Sequence, residues 1–198
     1  MRASETLWSD IPTEIFLPKS HAVRVASYGW NDMENFILKR RSVRKFTDTY
    51  VEKADIDSIL EAACAAPSAC NRKPVDFYVI TDPERLDELS KCGRFTRMKS
   101  PLMIIVVGNL GRALPLKMAE YWIQDAAAAS ENILLQATAV GLGSCWCGIY
   151  PQERFVQKVR ENLGLTDKQI PFSMIKIGHP DEFPKAHEGI DEKRVHYI

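Results

Sequence analysis

No stretch of this chain approaches the ~20 consecutive apolar residues that a membrane-spanning helix requires. The longest apolar run is Leu102 to Val107. Glu5, Asp10 and Glu14 stand where a secretory leader would keep its apolar segment, so a cytoplasmic location is expected. An excess of charge is missing too, since 26 Lys and Arg balance 26 Asp and Glu. General nucleic-acid binding needs a basic surplus to meet phosphates, so that class is set aside. Nor is there a disulfide framework. Cys64, Cys70, Cys92, Cys145 and Cys147 are odd in number and scattered, which fits reduced thiols.

The familiar catalytic signatures are also absent. "GLGSCWCGIYP" precedes a strand instead of following one, so it is no dinucleotide fingerprint. No Gly-Lys-Ser/Thr ending marks a Walker loop, and no G-x-S-x-G elbow marks an α/β-hydrolase. His21, His179, His187 and His196 fall in loops and the tail, with no H-E-x-x-H pair. Cys145-x-Cys147 lacks a second ligand pair, so no metal is expected. The two thiols share one side of a strand, where buried small hydrophobes are the ordinary reading.

What is present is an ordinary globular balance, 45% hydrophobic and 26% charged, in 198 residues. That length favours one domain with a sizeable core. Residues 1–30 lack periodicity and read as an irregular arm; the domain is expected over 31–198. From Asn31, Met33, Phe36 and Ile37 sit at helical spacing. Ile56, Ile59, Leu60, Ala63 and Cys64 form the stripe of a second helix, ended by Pro67. A strand is expected over 76–81, then a short helix capped by Asp82 with Pro83 at its first position. A buried strand follows at 102–108, then a long Ala-rich helix over 116–140. "GLGSCWCGIYP" encloses a short strand. A helix ending at Gly164 and the strand "FSMIKIGHP" complete the body. Four or five strands alternate with helices. The strand-like "RVHYI" ending could complete a sheet in a second subunit.

Three segments carry the chemistry. In "RRSVRKF", Arg40, Arg41, Arg44 and Lys45 fall within six residues, with Ser42 among them. A solvated helix end would explain cations there. The arginine fork also matches phosphate oxygens, and a phosphate monoester carries up to about two negative charges. In "APSACNRKP", Pro67 and Pro74 bracket a loop presenting Ser68, Asn71 and Lys73. That is either a helix-terminating turn or a set of polar groups for the edge of a flat heteroaromatic ligand. In "GLGSCWCGIYP", glycines permit close backbone approach.

Taken in order with the Ala-rich helix and "KIGHP", these segments resemble the nitroreductase family of flavoproteins over residues 33–198. The resemblance implies an α+β sandwich, a mainly antiparallel sheet wrapped by helices, in an intertwined homodimer with FMN at the subunit interface. By the same resemblance, Arg40, Arg41, Ser42 and Arg44 would hold the FMN phosphate, the ribityl chain and part of the pyrimidine edge. Pro67, Ser68 and Asn71 of the partner would flank the isoalloxazine. Lys73 stands where the family often has Gln, so a cation would sit near the ring; with Arg44 it is a candidate for electrostatic tuning. Cys147 and Gly148 match the segment along one flavin face. Arg194 is the tail cation for the phosphate, whereas Gly189 falls where many relatives have Arg.

The implied activity is transfer of hydride from NADH or NADPH through flavin N5 to a nitroaromatic, quinone or enone, in ping-pong fashion, with no protein nucleophile. Two other readings stay open. One is a flavin-consuming or dehalogenating enzyme of the same fold, and the other is a flavin-binding redox sensor without turnover. Cys92–Ser100 and residues 111–122, with Tyr121 and Trp122, line either an acceptor slot or the core.

Overall fold

A computed structural model describes residues 36–185 and 189–198. The expected arm 1–30, the start of the first helix and His187 lie outside the described residues; residues 36–39 are helical. The body is one antiparallel sheet with helices on both faces. Its strands are β1 (Val75–Ile80), β2 (Leu102–Asn109), β3 (Gly143–Gly148) and β4 (Gln169–Gly178), in the order β1-β2-β4-β3.

On one face lie α1 (Lys53–Cys64) and the long α3 (Tyr121–Ala139). Ile56, Ile59 and Ala63 of α1 join Ala126, Ile133 and Ala137 of α3 over Ile104, Val106, Ile175 and Ile177 of the sheet. The small residues of α3 let it run close over the strands. On the other face, α2 (Pro83–Ser90) and α4 (Glu153–Leu163) bury Leu86, Leu89, Val156 and Val159 against Met103, Ile105, Cys145, Cys147 and Met174. With both faces covered, β2 reads as a continuous apolar run instead of alternating.

The local signals explain most boundaries. Asp82 accepts the Arg85 N–H at the start of α2, with Pro83 next to it. Gly164 takes the left-handed conformation that ends α4. The pattern at 116–140 splits, however. A 3₁₀ turn occupies Leu116–Met118 and α3 begins only at Tyr121. Leu116 has a positive φ and is almost fully exposed, so the apolar period there is not that of the helix. β4 starts before the expected Phe172, at Gln169, because a register shift opposite Val106 and Val107 lets the strand continue.

The edge beyond β3 places the basic segment. Ser42 bridges Ser144 in parallel, and the Val43 N–H donates to the Ser144 carbonyl at 2.9 Å. Phe46 bridges Pro180, and the Thr47 N–H donates to the His179 carbonyl. Residues 42–47 therefore form a strap along the free edge of β3. Gly143 makes the close approach possible, because a Cβ there would lie 2.9 Å from Val43 Cγ1. Among the described residues four strands belong to the sheet, and 189–198 adds none to it; Glu192–Arg194 is a 3₁₀ turn and Val195–Ile198 is exposed.

Candidate functional site: a basic cleft at the sheet edge

The strap carries its cations into a cleft of about 610 Å³, lined by Arg40, Arg41, Ser42, Arg44, Lys45, Glu182 and Pro184. Four cations therefore face one carboxylate. Part of the cluster is internally held. Arg40 Nε lies 3.6 Å from Glu131 of α3. The Arg44 backbone N–H donates to Glu182 at 2.6 Å, and its guanidinium donates to the Ser42 carbonyl at 3.3 Å. Arg41 is different. Its Nε–H is buried and has no acceptor. Ser144 Oγ, on the strand beside the strap, is buried and unpartnered as well. The cleft is thus strongly basic, and the Arg41 Nε–H, belonging to one of its four cations, is a donor left without a partner.

The loop between α1 and β1 is held at both ends. At its start, the Ala69 N–H donates 2.9 Å to the buried carboxylate of Asp125, from α3. At its end, Arg112 donates to the Lys73 and Val75 carbonyls at 3.0 Å each and pairs with Asp76 at 2.5 Å. Arg72 returns a bond to the Arg112 carbonyl. Inside the loop Ser68 Oγ accepts the Lys73 N–H at 2.9 Å, so this side chain closes the loop and keeps its hydrogen and one lone pair for a ligand. Cys70, Asn71 and Lys73 all have φ near +50°. Three non-glycine residues in the left-handed region are costly and persist only where the surroundings dictate them. The loop turns Pro67, Asn71 and Lys73 outward.

Gly148, at the end of β3, is exposed with open space where a Cβ would stand. Cys147 beside it points the other way, into the second core layer, where its thiol donates to the Phe95 carbonyl at 3.3 Å. Cys145 is on the same side. The two thiols interact, and both that interaction and burial push Cys147 up. These thiols act as packing, and only the backbone of Cys147 and Gly148 is left for a ligand. Trp122 is core, edge-on to Tyr150 and Phe172, while Tyr121 is exposed. Arg194 lies in the exposed 3₁₀ turn.

Within one chain, then, Arg40, Arg41, Ser42 and Arg44 converge. Pro67, Ser68, Asn71, Lys73, Gly148 and Arg194 do not line that cleft. Sequence reasoning passes over Ser144, Asp125 and Arg112, and reads the Asp181/Glu182 pair only as solvated carboxylates. Asp125 left a trace, a single acid inside an Ala-rich helix. The others are ordinary polar residues until the chain folds.

The fold and the cleft define an α+β protein with a basic cleft on the edge of an antiparallel sheet. The Nitroreductase family profile matches residues 37–92 and 90–179, and the chain belongs to that family. A protein of Archaeoglobus fulgidus assigned as an NADH dehydrogenase/NAD(P)H nitroreductase is 36% identical, covering 81% of this chain and 94% of its own. An FMN-dependent nitroreductase structure from Clostridium difficile superposes with a TM-score of 0.75 at 36% identity, covering 82% of this chain and 96% of that one. A protein of Desulfovibrio desulfuricans assigned as a nitroreductase, solved in complex with FMN, superposes with a TM-score of 0.71 at 27% identity, covering 84% and 96%.

Proposed function

We propose that the chain is an NAD(P)H-dependent, FMN-using oxidoreductase that reduces nitroaromatics, quinones or related small acceptors by a ping-pong route. The observation that carries the site is the buried Arg41 Nε without an acceptor, set among four cations. A phosphate monoester fits this donor set. It brings the negative charge that Arg40, Arg41, Arg44 and Lys45 lack, and an oxygen for the Arg41 Nε–H. A relative solved with FMN supports the same reading. When bound, FMN supplies the chemistry, accepting hydride at N5 from a reduced nicotinamide and passing it on.

The protein's part is to bind, orient and tune. The strap grips the phosphate. Exposed Gly148 leaves room for a flat ring against the backbone. The Pro67–Lys73 loop does not reach the cleft of its own chain, so we place it against the flavin of a second subunit. Asn71 and the Ser68 hydroxyl then face the ring, and Lys73 supplies positive charge that favours the reduced form. Exposed Ile37, Leu38, Val195, Tyr197 and Ile198 supply apolar surface for a homodimer, and Arg194 in the tail is placed to add a cation to the partner's phosphate. With one open face, the nicotinamide must leave before the acceptor arrives, hence ping-pong order. The five free thiols suit a reducing cytoplasm.

The deciding experiment is an anaerobic absorbance spectrum of the purified protein before and after each nicotinamide. The expected result is an oxidised-flavin band lost on adding NADH or NADPH and restored by a nitroaromatic. A band that persists with both favours a flavin-binding sensor. Oxygen-dependent destruction of the flavin itself favours a flavin-consuming enzyme. A colourless protein that FMN does not stabilise ends the flavin reading.

A further inference from the structure

Lys176 is the one charged side chain of the described residues that is fully buried. It stands on β4, opposite Met103 of β2 and Cys145 of β3, in the apolar layer that holds Leu86, Leu89 and Met174. Its recorded hydrogen bond goes to Ser90 Oγ at 2.5 Å, and it makes no ion pair among the described residues. Ser90 in turn donates to the Leu86 carbonyl. Burial pulls the ammonium down to about 8, which leaves it mostly charged at neutral pH. Ser90 ends α2, whose carbonyl end offsets part of that cost but brings no full counter-charge.

Ser90 also lines a cavity of about 590 Å³, within the usual range for small-molecule sites. Arg97 and Lys99 stand at its rim, exposed, with no hydrogen bond or ion pair among the described residues. Two carboxylates share the rim, Asp48 and Asp87, and Lys91 holds Asp87 at 2.5 Å. At the rim, Arg97 and Lys99 therefore face only Asp48 as an uncommitted acid. Phe46, Tyr50, Leu86 and Pro101 supply apolar wall. The cavity is separate from the basic cleft and shares no lining residue with it. Lys45 belongs to the cleft and Phe46 to the cavity, so the strap divides the two.

The chemistry narrows the ligand. A bare inorganic anion would waste the apolar wall. A phosphate ester, with about two charges, would meet Asp48 and Asp87 at close range. A single negative charge on a flat apolar body satisfies both features.

We propose that this cavity is a second binding site for a small aromatic monocarboxylate, whose carboxylate is held by Arg97 and Lys99, with the buried Lys176 ammonium behind Ser90 adding positive charge and the ring against Phe46 and Leu86. The site stands apart from the flavin reading and does not depend on it.

Sodium benzoate is the probe, titrated by calorimetry into the purified full-length protein as it is isolated, with the absorbance spectrum followed in parallel. The expected result is one benzoate per chain with any flavin spectrum unchanged, and benzamide, the neutral isostere, weaker by about tenfold or more. The double variant Arg97→Ala with Lys99→Ala should weaken benzoate by at least about tenfold, and Lys176→Met by about threefold to tenfold. Arg41→Ala, in the other cleft, should leave benzoate affinity as it was. Three outcomes overturn the proposal: no binding up to about 20 mM, well beyond any useful affinity; binding only with a shifted flavin spectrum; or wild-type affinity in the double variant. Should Lys176→Met fail to fold, the double variant on the exposed rim decides alone.

Discussion

A guanidinium N–H shut away from water without an acceptor costs about 1–3 kcal/mol, and Arg41 Nε is in that position. On our reading, a bound phosphate recovers that cost. Arg41→Ala should therefore weaken FMN binding by about tenfold to a hundredfold, measured by quenching of FMN fluorescence, with little loss of stability in the free protein. Arg41→Lys should rescue only part, since a point charge does not reproduce the planar fork. Lys176 makes the opposite kind of residue-scale statement. Its folded pKa of about 8 lies below the ordinary 10.5. Below pH 8 both folded and unfolded chains hold the proton, and the burial cost is felt in full. Between 8 and 10.5 the unfolded chain keeps a proton the native one has lost, so stability rises with pH. The total is roughly 3 kcal/mol. Urea titrations of wild type and Lys176→Met at pH 7 and 10 should show this extra rise in the wild type only, with the variant the more stable at pH 7. An equal slope in both would refute it.

Between residue and fold, two elements set the site: the strap on β3 and the loop after α1. The strap depends on Val43 lying against Gly143, where a Cβ would come within 2.9 Å of Val43 Cγ1 and 3.0 Å of its Cβ. Gly143→Ala should push the strap outward, with about 1–3 kcal/mol of lost stability and a weaker grip on FMN, read from a thermal melt and an FMN titration on the same sample. The loop depends on clamps outside it. Asp125→Ala leaves the Ala69 N–H without its acceptor, and the expected loss is about 1–2 kcal/mol. Asp125→Asn keeps an acceptor oxygen and should recover most of that loss. The sequence announced the loop through Pro67 and Pro74, but not its left-handed residues. Cys70 and Lys73 have no local preference for φ near +50°; Asp125, 56 residues from Ala69, and Arg112, 39 from Lys73, impose it.

For the whole molecule, the tail matters most. Residues 189–198 are exposed, and Tyr197 and Ile198 are almost entirely bare. Our reading gives them a second subunit to cover them. Deleting 189–198 should turn a dimer into a monomer in sedimentation velocity and lower FMN affinity together with it. A full-length chain that sediments as a monomer yet binds FMN tightly would refute this reading.

The order of elements, the two-faced burial of β2 and the basic segment's suitability for phosphate could all be inferred from the sequence. Apolar period, caps and the arginine fork are local properties, and local physics acts before any fold exists. Convergence could not be read that way. That Arg41 Nε is buried without an acceptor, that Ser42 bridges Ser144, and that Lys176 lies behind a cavity rimmed by Arg97 and Lys99 depend on which strands lie side by side. Residues far apart in the chain meet only through β-sheet register and helix packing, so the tertiary structure alone decided them.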